Sequence, residues 1–419
     1  MSNTSVPKHT VVVIGAGTGG VAVAARLRRQ RPNLDVAIIE PSSHHYYQPA
    51  WTLVGGGAYR VEDTRRGLRD CLPRGVRHVA DRAAVLLPDD NQIELGDGSR
   101  LAYDYLVVAA GIQINWGAID GLEDALGKNG VTSNYRYDLA TYTWELVRRF
   151  RGGTAIFTQP AGAVKCPGAP QKALYLAADH FRRRGVKADS LQFRTGGATV
   201  FGVPFYAKAL NGVMASYGTD VRFGQRLTQV RGNNRIAVFE STVNGQAVRD
   251  EVTYDLLHVV PPQSAPDFIS QSPLAGANGW LDVDEHTLRH KRYANVFGIG
   301  DCTSTPNSKT AAAIKAQAPV VAANLLGALE SRGGVEAYDG YAACPLTTSR
   351  GKVLLAEFSY GGAITPSFPL DPRVPRRFYW WLKRSFLPWF YWHVMLKGRD
   401  LPITYKTRHF SATEPSVQP

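Results

Sequence analysis

The feature that most constrains the fold is a glycine-rich turn between an apolar strand and an alanine-rich helix. Residues 9–14 are expected to form a buried strand, Gly15-Ala16-Gly17-Thr18-Gly19-Gly20 follows, and a helix is expected to about residue 30 before a second strand over residues 36–40. This is the GxGxxG pattern in the strand, turn, helix and strand order that gives it meaning. The pattern predicts an α/β fold with a Rossmann-like dinucleotide-binding domain.

Each glycine of the pattern has a physical task. Gly15 allows the tight turn, Gly17 lets the backbone approach a pyrophosphate, and Gly20 lets helix and strand pack closely. Glu40 ends the second strand, where a carboxylate accepts hydrogen bonds from ribose hydroxyls and repels a 2′-phosphate. Because NAD and FAD share the same ADP half, this motif alone does not choose between them.

A second motif favours FAD. Residues 295–301 form an apolar strand that ends in Gly300-Asp301, and a helix is expected from about 309 to 326. Asp301 could hold a ribityl hydroxyl, and the helix N-terminus with Lys309 could face the pyrimidine edge of a flavin. Residues 106–111, another strand that ends in Gly111, supply a third crossing point. We therefore expect FAD bound across distant segments.

The middle of the chain lacks a second fingerprint. A strand over residues 155–158 runs into Gln159-Pro160-Ala161 without a glycine cradle, and residues 199–204 after Gly196-Gly197-Ala198 are expected to form another strand. Cys166 lies where a phosphate loop would stand, beside Lys165 and just before a helix that opens near residue 170. An ammonium and a helix N-terminus both favour the thiolate, so Cys166 is a candidate redox residue. Cys344 is its candidate partner.

The cysteine count argues against structural metal and disulfide scaffolds. Only Cys71, Cys166, Cys302 and Cys344 are present, widely spaced and without a CxxC pair. His44 and His45 lack a nearby third ligand, so no metal site is predicted. Cys302 is expected to pack behind the Gly300-Asp301 corner, and Cys71 is interpreted as incidental. No apolar signal core precedes the first strand, so a reducing compartment is expected.

Basic and aromatic residues concentrate near the C-terminus. Residues 372–419 hold nine Lys or Arg against two Asp or Glu, an excess of +7 out of a net +13, together with four of the eight Trp. The longest uncharged run, residues 385–396, is shorter than the roughly 20 residues that span a bilayer. Residues 378–396, which Pro388 is expected to break into two helices, are therefore predicted to lie on a membrane surface. The alternative is an aromatic face packed on the protein's own core or on a twin subunit. Nucleic-acid binding is disfavoured because no such module is visible.

These residues together resemble the sulfide:quinone oxidoreductases, most of all the branch that includes the mitochondrial enzyme. The resemblance covers nearly the whole chain and is carried by the fingerprint and by four further blocks: His45-Tyr46-Tyr47-Gln48-Pro49, Val164-Lys165-Cys166-Pro167-Gly168, Gly300-Asp301-Cys302 and Ala343-Cys344-Pro345-Leu346. It implies FAD in a two-dinucleotide-binding flavoprotein, with Gln48 among the residues at the cofactor. Noncovalent binding is expected, because no residue of the sequence announces a flavin linkage.

The resemblance also implies a division of labour between two cysteines. Cys166 and Cys344 would form a disulfide, or a sulfur-bridged form of it, beside the flavin. Sulfide would attack at Cys344, leave a persulfide there and free Cys166 as a thiolate; two electrons would pass through FAD to a ubiquinone-type quinone. The persulfide sulfur would leave on a small acceptor such as glutathione, sulfite or another sulfide, among which the residues do not choose.

The expected organisation has three parts. Residues 1–112 and 286–335 form a discontinuous FAD domain, residues 113–285 a second Rossmann-like domain without an NAD fingerprint, and residues 336–419 a redox-cysteine and membrane-surface region. The expected location is peripheral, on the inner (cytoplasmic) membrane of a bacterium or the inner mitochondrial membrane of a eukaryote. A type II NADH:quinone dehydrogenase and a flavin-binding redox sensor remain the alternatives.

Overall fold

A computed structural model describes residues 6–332 and 335–400. Residues 1–5 and 333–334 of the expected FAD domain, and residues 401–419 of the expected C-terminal region, lie outside the described residues.

The first part of the chain forms most of a seven-stranded sheet. Its elements are β1 (Lys8–Ile14), α1 (Thr18–Gln30), β2 (Val36–Ile39), β3 (His44–Tyr46), α2 (Trp51–Gly55), β4 (Arg65–Gly67), α3 (Leu68–Cys71), β5 (Val76–Val79), β6 (Ala83–Leu87), β7 (Gln92–Leu95) and β8 (Arg100–Val108). Strands β5, β2, β1 and β8 are parallel neighbours in that order, and β7 and β6 continue the sheet in antiparallel pairing.

The middle part carries a second parallel sheet. Its elements are β9 (Gln113–Ile114), α4 (Leu122–Ala125), β10 (Val131–Thr132), α5 (Tyr137–Arg149), β11 (Thr154–Gln159), α6 (Ala169–Arg183), β12 (Ser190–Thr195), α7 (Pro204–Ser216), β13 (Asp220–Arg222), β14 (Arg226–Arg231), β15 (Ile236–Val243), β16 (Gln246–Thr253), β17 (Leu256–His258), β18 (Gln263–Ser264) and α8 (Asp267–Ser270). The parallel order is β10-β17-β11-β12-β13, and β14, β15 and β16 form a separate antiparallel meander.

The last part returns to the first sheet before it adds new elements. It contains β19 (Val296–Gly298), α9 (Ala311–Leu329), β20 (Ala342–Ser349), β21 (Lys352–Phe358), α10 (Arg377–Trp381) and α11 (Leu387–His393). Strand β19 pairs in parallel with the end of β8, and β20 and β21 form a hairpin. The predicted α/β fold with two Rossmann-like sheets is confirmed.

Two predicted elements differ from the structure. Residues 199–203 are a loop rather than a strand, because Pro204 occupies the first turn of α7, a position that proline favours. Pro388 does not break the C-terminal helix either. It lies in the first turn of α11, and a π-helical turn, Leu382–Phe386, joins α10 to α11. Cys344 lies inside β20.

Helix α9 is long and apolar enough to cross a membrane by length and composition alone. It packs against α1 and β20, and Val321, Ala322 and Leu325 are buried in the main hydrophobic cluster. We therefore interpret α9 as a core helix of the first domain.

Candidate active site

Three parallel strands bring the residues that are predicted to bind the dinucleotide to one edge of the first sheet. The last residues of β1 and β8 pair as Ile14 with Val108, and the last residue of β19, Gly298, pairs with Val108 from the other side. Gly15, Gly111 and Asp301 follow these strands directly, so they lie side by side at the carboxyl edge. Ligands of open α/β sheets bind at this edge.

The glycine turn has the geometry of a phosphate cradle. Gly15 has φ +93°, and a Cβ there would lie 2.6 Å from the carbonyl oxygen of Ala109, so no other residue fits. A Cβ at Gly17 would meet nothing within 4 Å, and Gly17 starts α1 without a side-chain cap. The backbone N–H groups at this helix start are therefore accessible to an anion.

Glu40 stands next to the turn, where the sequence places it. Its Oε2 accepts a hydrogen bond from the Ala16 N–H at 2.9 Å, and its Oε1 accepts one from the Ser42 N–H at 2.9 Å. A carboxylate has about four acceptor positions, so lone pairs remain for ribose hydroxyls.

A buried polar chain lies beneath the turn. The carbonyl oxygen of Ala16 accepts a hydrogen bond from His45 Nδ1 at 2.8 Å, and burial lowers the pKa of His45 to about 4, so its ring is neutral. His45 Nε2 therefore accepts from the Tyr391 hydroxyl at 2.6 Å, and that oxygen in turn accepts from Thr18 Oγ1 at 2.8 Å. The C-terminal helix α11 is thus bonded to the glycine turn.

Charged groups surround Asp301. Burial raises the pKa of its carboxyl group, and the charges of Lys309 and Lys165 act in the opposite direction. Lys309 donates to the carbonyl oxygen of Thr303 at 2.9 Å. Lys165 donates to Gln48 Oε1 at 2.7 Å, so these two predicted residues meet each other. The structure brings Gln48, Lys165, Asp301 and Lys309 to one region of the site.

The two candidate redox cysteines meet in space although 178 residues separate them. Their Sγ atoms lie 3.9 Å apart and are not bonded. Cys166 has φ +50°, a conformation that non-glycine residues adopt rarely and mostly where the surrounding structure enforces it. The Cys166 N–H donates to the carbonyl oxygen of Lys309 at 2.7 Å, which ties the cysteine loop to the Asp301 segment.

Gly168 leaves the space that the second sulfur occupies. A Cβ at this position would lie 2.6 Å from Cys344 Sγ and 2.7 Å from Leu346 Cδ2. The close approach of the loop to β20 therefore depends on the missing side chain.

Two buried ammonium groups face the cysteine pair, and neither belongs to Lys165. Lys172 Nζ donates to Cys166 Sγ at 3.0 Å from the first turn of α6. Lys383, in the π-helical turn, is buried, and its ammonium group interacts by charge with both cysteines. Burial lowers the pKa of Lys383 to about 7. The π turn directs Lys383 inward, away from the exposed aromatic residues of the same segment.

The electrostatics of the pair are unequal. The hydrogen bond with Cys344 and then the charge of Lys172 lower the pKa of Cys166 well below its ordinary value, although burial opposes them. The same contact with Cys166, together with burial, raises the pKa of Cys344. Burial acts against the charge on Lys172, but the two sulfurs raise the pKa of that ammonium. Cys166 is therefore the thiolate of the pair.

Sequence reasoning missed Lys172, Lys383 and Tyr391. Lys172 had a usable signal, because it lies six residues after Cys166 in the opening turn of the predicted helix. Lys383 is more than two hundred residues from Cys166, and Tyr391 is more than three hundred from His45, so only tertiary folding reveals these contacts.

The remaining candidates lie away from the sulfurs. Cys302 is buried behind the strand end, with its Sγ 3.5 Å from the carbonyl oxygen of Val108, as predicted. Cys71 is buried in α3. His44 is exposed on β3. Among residues 6–332 and 335–400, no group of three His, Cys, Asp or Glu side chains is placed to hold a metal ion.

The C-terminal helix has one buried and one exposed aromatic face. Tyr379, Phe390, Tyr391 and Trp392 pack into the core, as the alternative interpretation proposed. Phe378, Trp381 and Trp389 are 47%, 53% and 50% exposed, and with the half-buried Phe386 they form a row that we call the aromatic ladder. Consecutive ring centroids of this ladder lie 5.9, 6.1 and 5.9 Å apart.

The π turn keeps this ladder on one face. Phe386 lies five positions after Trp381, so in an α-helix its side chain would point about 140° away from the direction of Trp381 around the helix axis. A π turn holds an additional residue per turn and so returns Phe386 to the line of Trp381.

Comparison with known proteins gives concordant matches. The family model described as "Pyridine nucleotide-disulphide oxidoreductase" matches residues 9–318. The chain is 42% identical to the "Sulfide:quinone oxidoreductase, mitochondrial" of Dictyostelium discoideum, over 93% of this chain and 86% of that protein. It is 40% identical to the protein of the same name from Mus musculus, over 93% and 87%.

A solved structure shows the same fold. The sulfide:quinone oxidoreductase from the hyperthermophilic bacterium Aquifex aeolicus matches with a TM-score of 0.77 and 21% identity, over 93% of this chain and 92% of that chain.

Proposed function

This chain belongs to the sulfide:quinone oxidoreductases of the pyridine nucleotide-disulphide oxidoreductase family, and from that premise we propose that Cys166 and Cys344 are its redox pair. Sulfide is the electron donor and a quinone the acceptor. The observation that carries the proposal is the 3.9 Å approach of two sulfurs from distant segments, with the Lys172 ammonium on one of them.

The cofactor of this family is a flavin, and we propose noncovalent FAD. The glycine turn, Glu40 and Asp301 lie at one sheet edge, with open space at Gly17 and helix N–H groups free of side-chain caps. Gly15, Gly17 and Gly20 would hold the pyrophosphate, Glu40 the ribose, and Gln48, Gly111, Asp301 and Lys309 the flavin half. The chemistry that FAD supplies when bound is reversible two-electron transfer, which connects the dithiol to a quinone.

The proposed covalent step starts from the Cys166–Cys344 disulfide. The sulfur of HS⁻ attacks Cys344 Sγ, a new S–S bond forms there as a persulfide, and the old S–S bond breaks. The electron pair leaves on Cys166, where the Lys172 charge stabilises the thiolate. Cys166 is more accessible than Cys344, but HS⁻ has one heavy atom and needs little space to reach the buried sulfur. The stability of the leaving thiolate therefore decides which sulfur is attacked.

The cycle closes with transfer of the outer sulfur and reoxidation. A small nucleophile such as glutathione, sulfite or a second sulfide takes the outer sulfur and leaves Cys344 as a thiol or thiolate. Reformation of the disulfide then releases two electrons, and the quinone is their acceptor in the overall reaction.

We also propose that the aromatic ladder lies in the interface of a quinone-containing membrane. Exposed Trp and Phe rings on one helix face suit the boundary between headgroups and acyl chains. The two relatives are named mitochondrial, which favours the inner mitochondrial membrane; the inner membrane of a bacterium has the same chemistry.

An anaerobic titration tests the proposed function. We expect sulfide to bleach the visible flavin spectrum within seconds and to produce a long-wavelength absorption band, since a thiolate beside an oxidised flavin gives such a band. NADH should have no rapid effect. Rapid bleaching by NADH and indifference to sulfide would instead support the type II NADH dehydrogenase, and slow stoichiometric reduction a redox sensor.

Substitution of the cysteines tests their roles. Cys166→Ser and Cys344→Ser should each reduce sulfide-dependent quinone reduction by at least about a thousandfold, because neither variant can form the disulfide. Both should retain flavin, because the residues proposed to hold it are unchanged. Cys71→Ser is the matched control and should retain activity; turnover near the wild-type rate in either site variant would contradict the two-cysteine mechanism.

A further inference from the structure

A strongly basic pocket lies beside the aromatic ladder. It has a volume of about 320 Å³ and lies between the end of α6, the hairpin turn that joins β20 to β21, and the start of α10. Its lining residues are Arg183, Ser349, Arg350, Gly351, Lys352, Arg377 and Trp380. Four of the seven lining residues are cationic and none is acidic, so the pocket is suited to an anion.

Most of this charge is not neutralised by the protein. Arg183 pairs with the buried Asp179 at 2.8 Å, and that carboxylate also accepts from the Arg350 N–H at 3.0 Å. Within the described ranges 6–332 and 335–400, no carboxylate forms an ion pair with the side chains of Arg350, Lys352 or Arg377. Three exposed cations therefore surround one cavity.

The pocket is remote from the sulfur chemistry. Lys172, which contacts Cys166, and Arg183, which lines the pocket, lie on the same helix α6. Eleven residues of α-helix between them span about 16 Å. An anion as small as sulfite in this pocket could not reach either cysteine sulfur, so the pocket is not an acceptor site for the persulfide.

The pocket is adjacent to the proposed membrane surface. Arg377 and Trp380 line it, while Phe378 and Trp381, their chain neighbours, begin the ladder. An anion in the pocket would thus lie at the level of exposed Trp and Phe rings, which is the depth of phospholipid headgroups.

A second pocket on the same helix serves as a contrast. It has a volume of about 500 Å³ and contains Arg65, Arg66 and Arg384, but Glu62 and Asp63 line it as well. Its charge is mixed, so it is less suited to a phosphate than the first pocket is.

We propose that the pocket between Arg183, Arg350, Lys352 and Arg377 binds the phosphate of an acidic phospholipid headgroup and so fixes the orientation of the enzyme on the membrane. This inference rests on the proposed membrane contact of the ladder. Phosphate oxygens accept hydrogen bonds from guanidinium and ammonium groups, and each basic residue near an acidic membrane adds to the attraction between protein and membrane.

Vesicle flotation tests the proposal with full-length protein. The probes are phosphatidylcholine vesicles with and without phosphatidylglycerol. We expect the double variant Arg350→Gln/Lys352→Gln to lose roughly tenfold or more of its affinity for the acidic vesicles, with a weaker salt dependence than the wild type. Its affinity for neutral vesicles should not change.

Two further variants make the test specific. Arg77→Gln/Lys128→Gln removes the same charge from exposed residues that line neither pocket, and it should behave like the wild type. Trp381→Ala/Trp389→Ala should weaken binding to both kinds of vesicle. Equal binding of acidic vesicles by the pocket variant and its charge control overturns the headgroup site. If the ladder variant is unaffected too, the membrane contact itself fails.

A soluble arm separates lipid from free anion. Glycerol 3-phosphate carries the same phosphate without acyl chains. If it binds the wild type as tightly as acidic vesicles do and the pocket variant abolishes that binding, the pocket is a soluble-anion site and the lipid assignment is overturned. Bleaching of the flavin by sulfide in detergent is measured on every variant and reports the proposed function independently.

Discussion

Two lysines and one thiol contact determine the protonation of the cysteine pair. Lys172 donates directly to Cys166, and its pKa stays high because the sulfurs oppose the effect of burial. Lys383 lies nearby, but burial lowers its pKa to about 7, so it carries less charge as the pH rises above neutrality. The charge on Lys172 therefore persists over the whole physiological range, whereas that on Lys383 does not.

Replacement of Lys172 should raise the pKa of Cys166. In the reduced wild type, the lowered pKa keeps Cys166 as a thiolate at neutral pH, and protonation occurs only as the pH falls through that lowered value. In Lys172→Met the thiolate should form at higher pH, and alkylation of Cys166 by iodoacetamide at pH 7 should slow by about tenfold or more. The measurement is the pH profile of Cys166 alkylation by mass spectrometry.

Lys165→Met is the matched control for that profile. Lys165 is adjacent to Cys166 in sequence, but its ammonium binds Gln48, so its removal should move the profile less. A larger shift for Lys165→Met than for Lys172→Met would restore the interpretation drawn from the sequence alone. The sequence predicted a thiolate at Cys166 but did not identify Lys172 as the lysine in contact with its sulfur, because adjacency along a chain does not define the direction of a side chain.

At the scale of elements, α11 serves both the surface and the cofactor site. One face carries Trp389 of the ladder, and the other carries Tyr391, which is 2% exposed and bonded to Thr18 and His45. The helix that we propose to contact a membrane is therefore directly connected to the turn expected to hold the pyrophosphate.

Removal of one hydroxyl should weaken that connection. Tyr391→Phe leaves the buried Nε2 of His45 without its donor, which should cost about 1–3 kcal/mol of stability. We expect a lower melting temperature and faster loss of FAD on dilution, both measured by flavin fluorescence during heating and gel filtration. Tyr379→Phe, a change on α10 that touches neither Thr18 nor His45, should have little effect on FAD retention. Equal retention in both variants would disprove the connection.

The elements that the sequence predicted well are those that are specified by residues close to one another in the chain. The strand, turn and helix of the fingerprint, and the helix after Cys166, have apolar periodicity and turn residues within a few positions. The prediction of a strand over residues 199–203 failed because Val200, Phe201 and Val203 are buried in a loop. Their hydrophobicity reflects tertiary packing rather than a strand. The π turn has no local signature at all.

At the scale of the whole molecule, the C-terminal segment belongs to the core of the first domain. Tyr391, Trp392 and Leu396 lie in the same hydrophobic cluster as Val11 and Val21. Arg26 forms a bidentate ion pair with Asp400, with N to O distances of 2.9 and 2.6 Å. The segment completes the nucleotide-binding domain in addition to any contact with a membrane.

Truncation should accordingly do more than release the protein from membranes. Deletion of the residues after Asp371 exposes apolar surface on α1 and removes Lys383 from the cysteine pair, so we expect low solubility, loss of FAD and a melting temperature lower by at least about 10 °C. Thermal unfolding and flavin content measure this, with Trp381→Ala/Trp389→Ala as the variant that should keep both. A truncated protein that melts like the wild type would show that the segment is a separate appendage.

Sequence reasoning anticipated the general architecture because dinucleotide-binding motifs specify it. It did not anticipate that the basic, aromatic C-terminal segment divides between surface and interior. Composition gives the average character of a segment, whereas the burial of Lys383 beside Phe386 and Trp389 depends on one turn of helix.

The position of these contacts also determines when the domain can form during synthesis. Strand β19, helix α9 and the residues around 391–400 all complete a domain whose first strand begins at Lys8. Domains usually fold in the order in which they leave the ribosome, but here the first one must wait for nearly four hundred residues. The middle Rossmann-like domain, which is continuous, can fold sooner. The nascent protein therefore holds an incomplete nucleotide-binding domain for most of its translation, and the apolar surface that this leaves exposed favours aggregation during that interval.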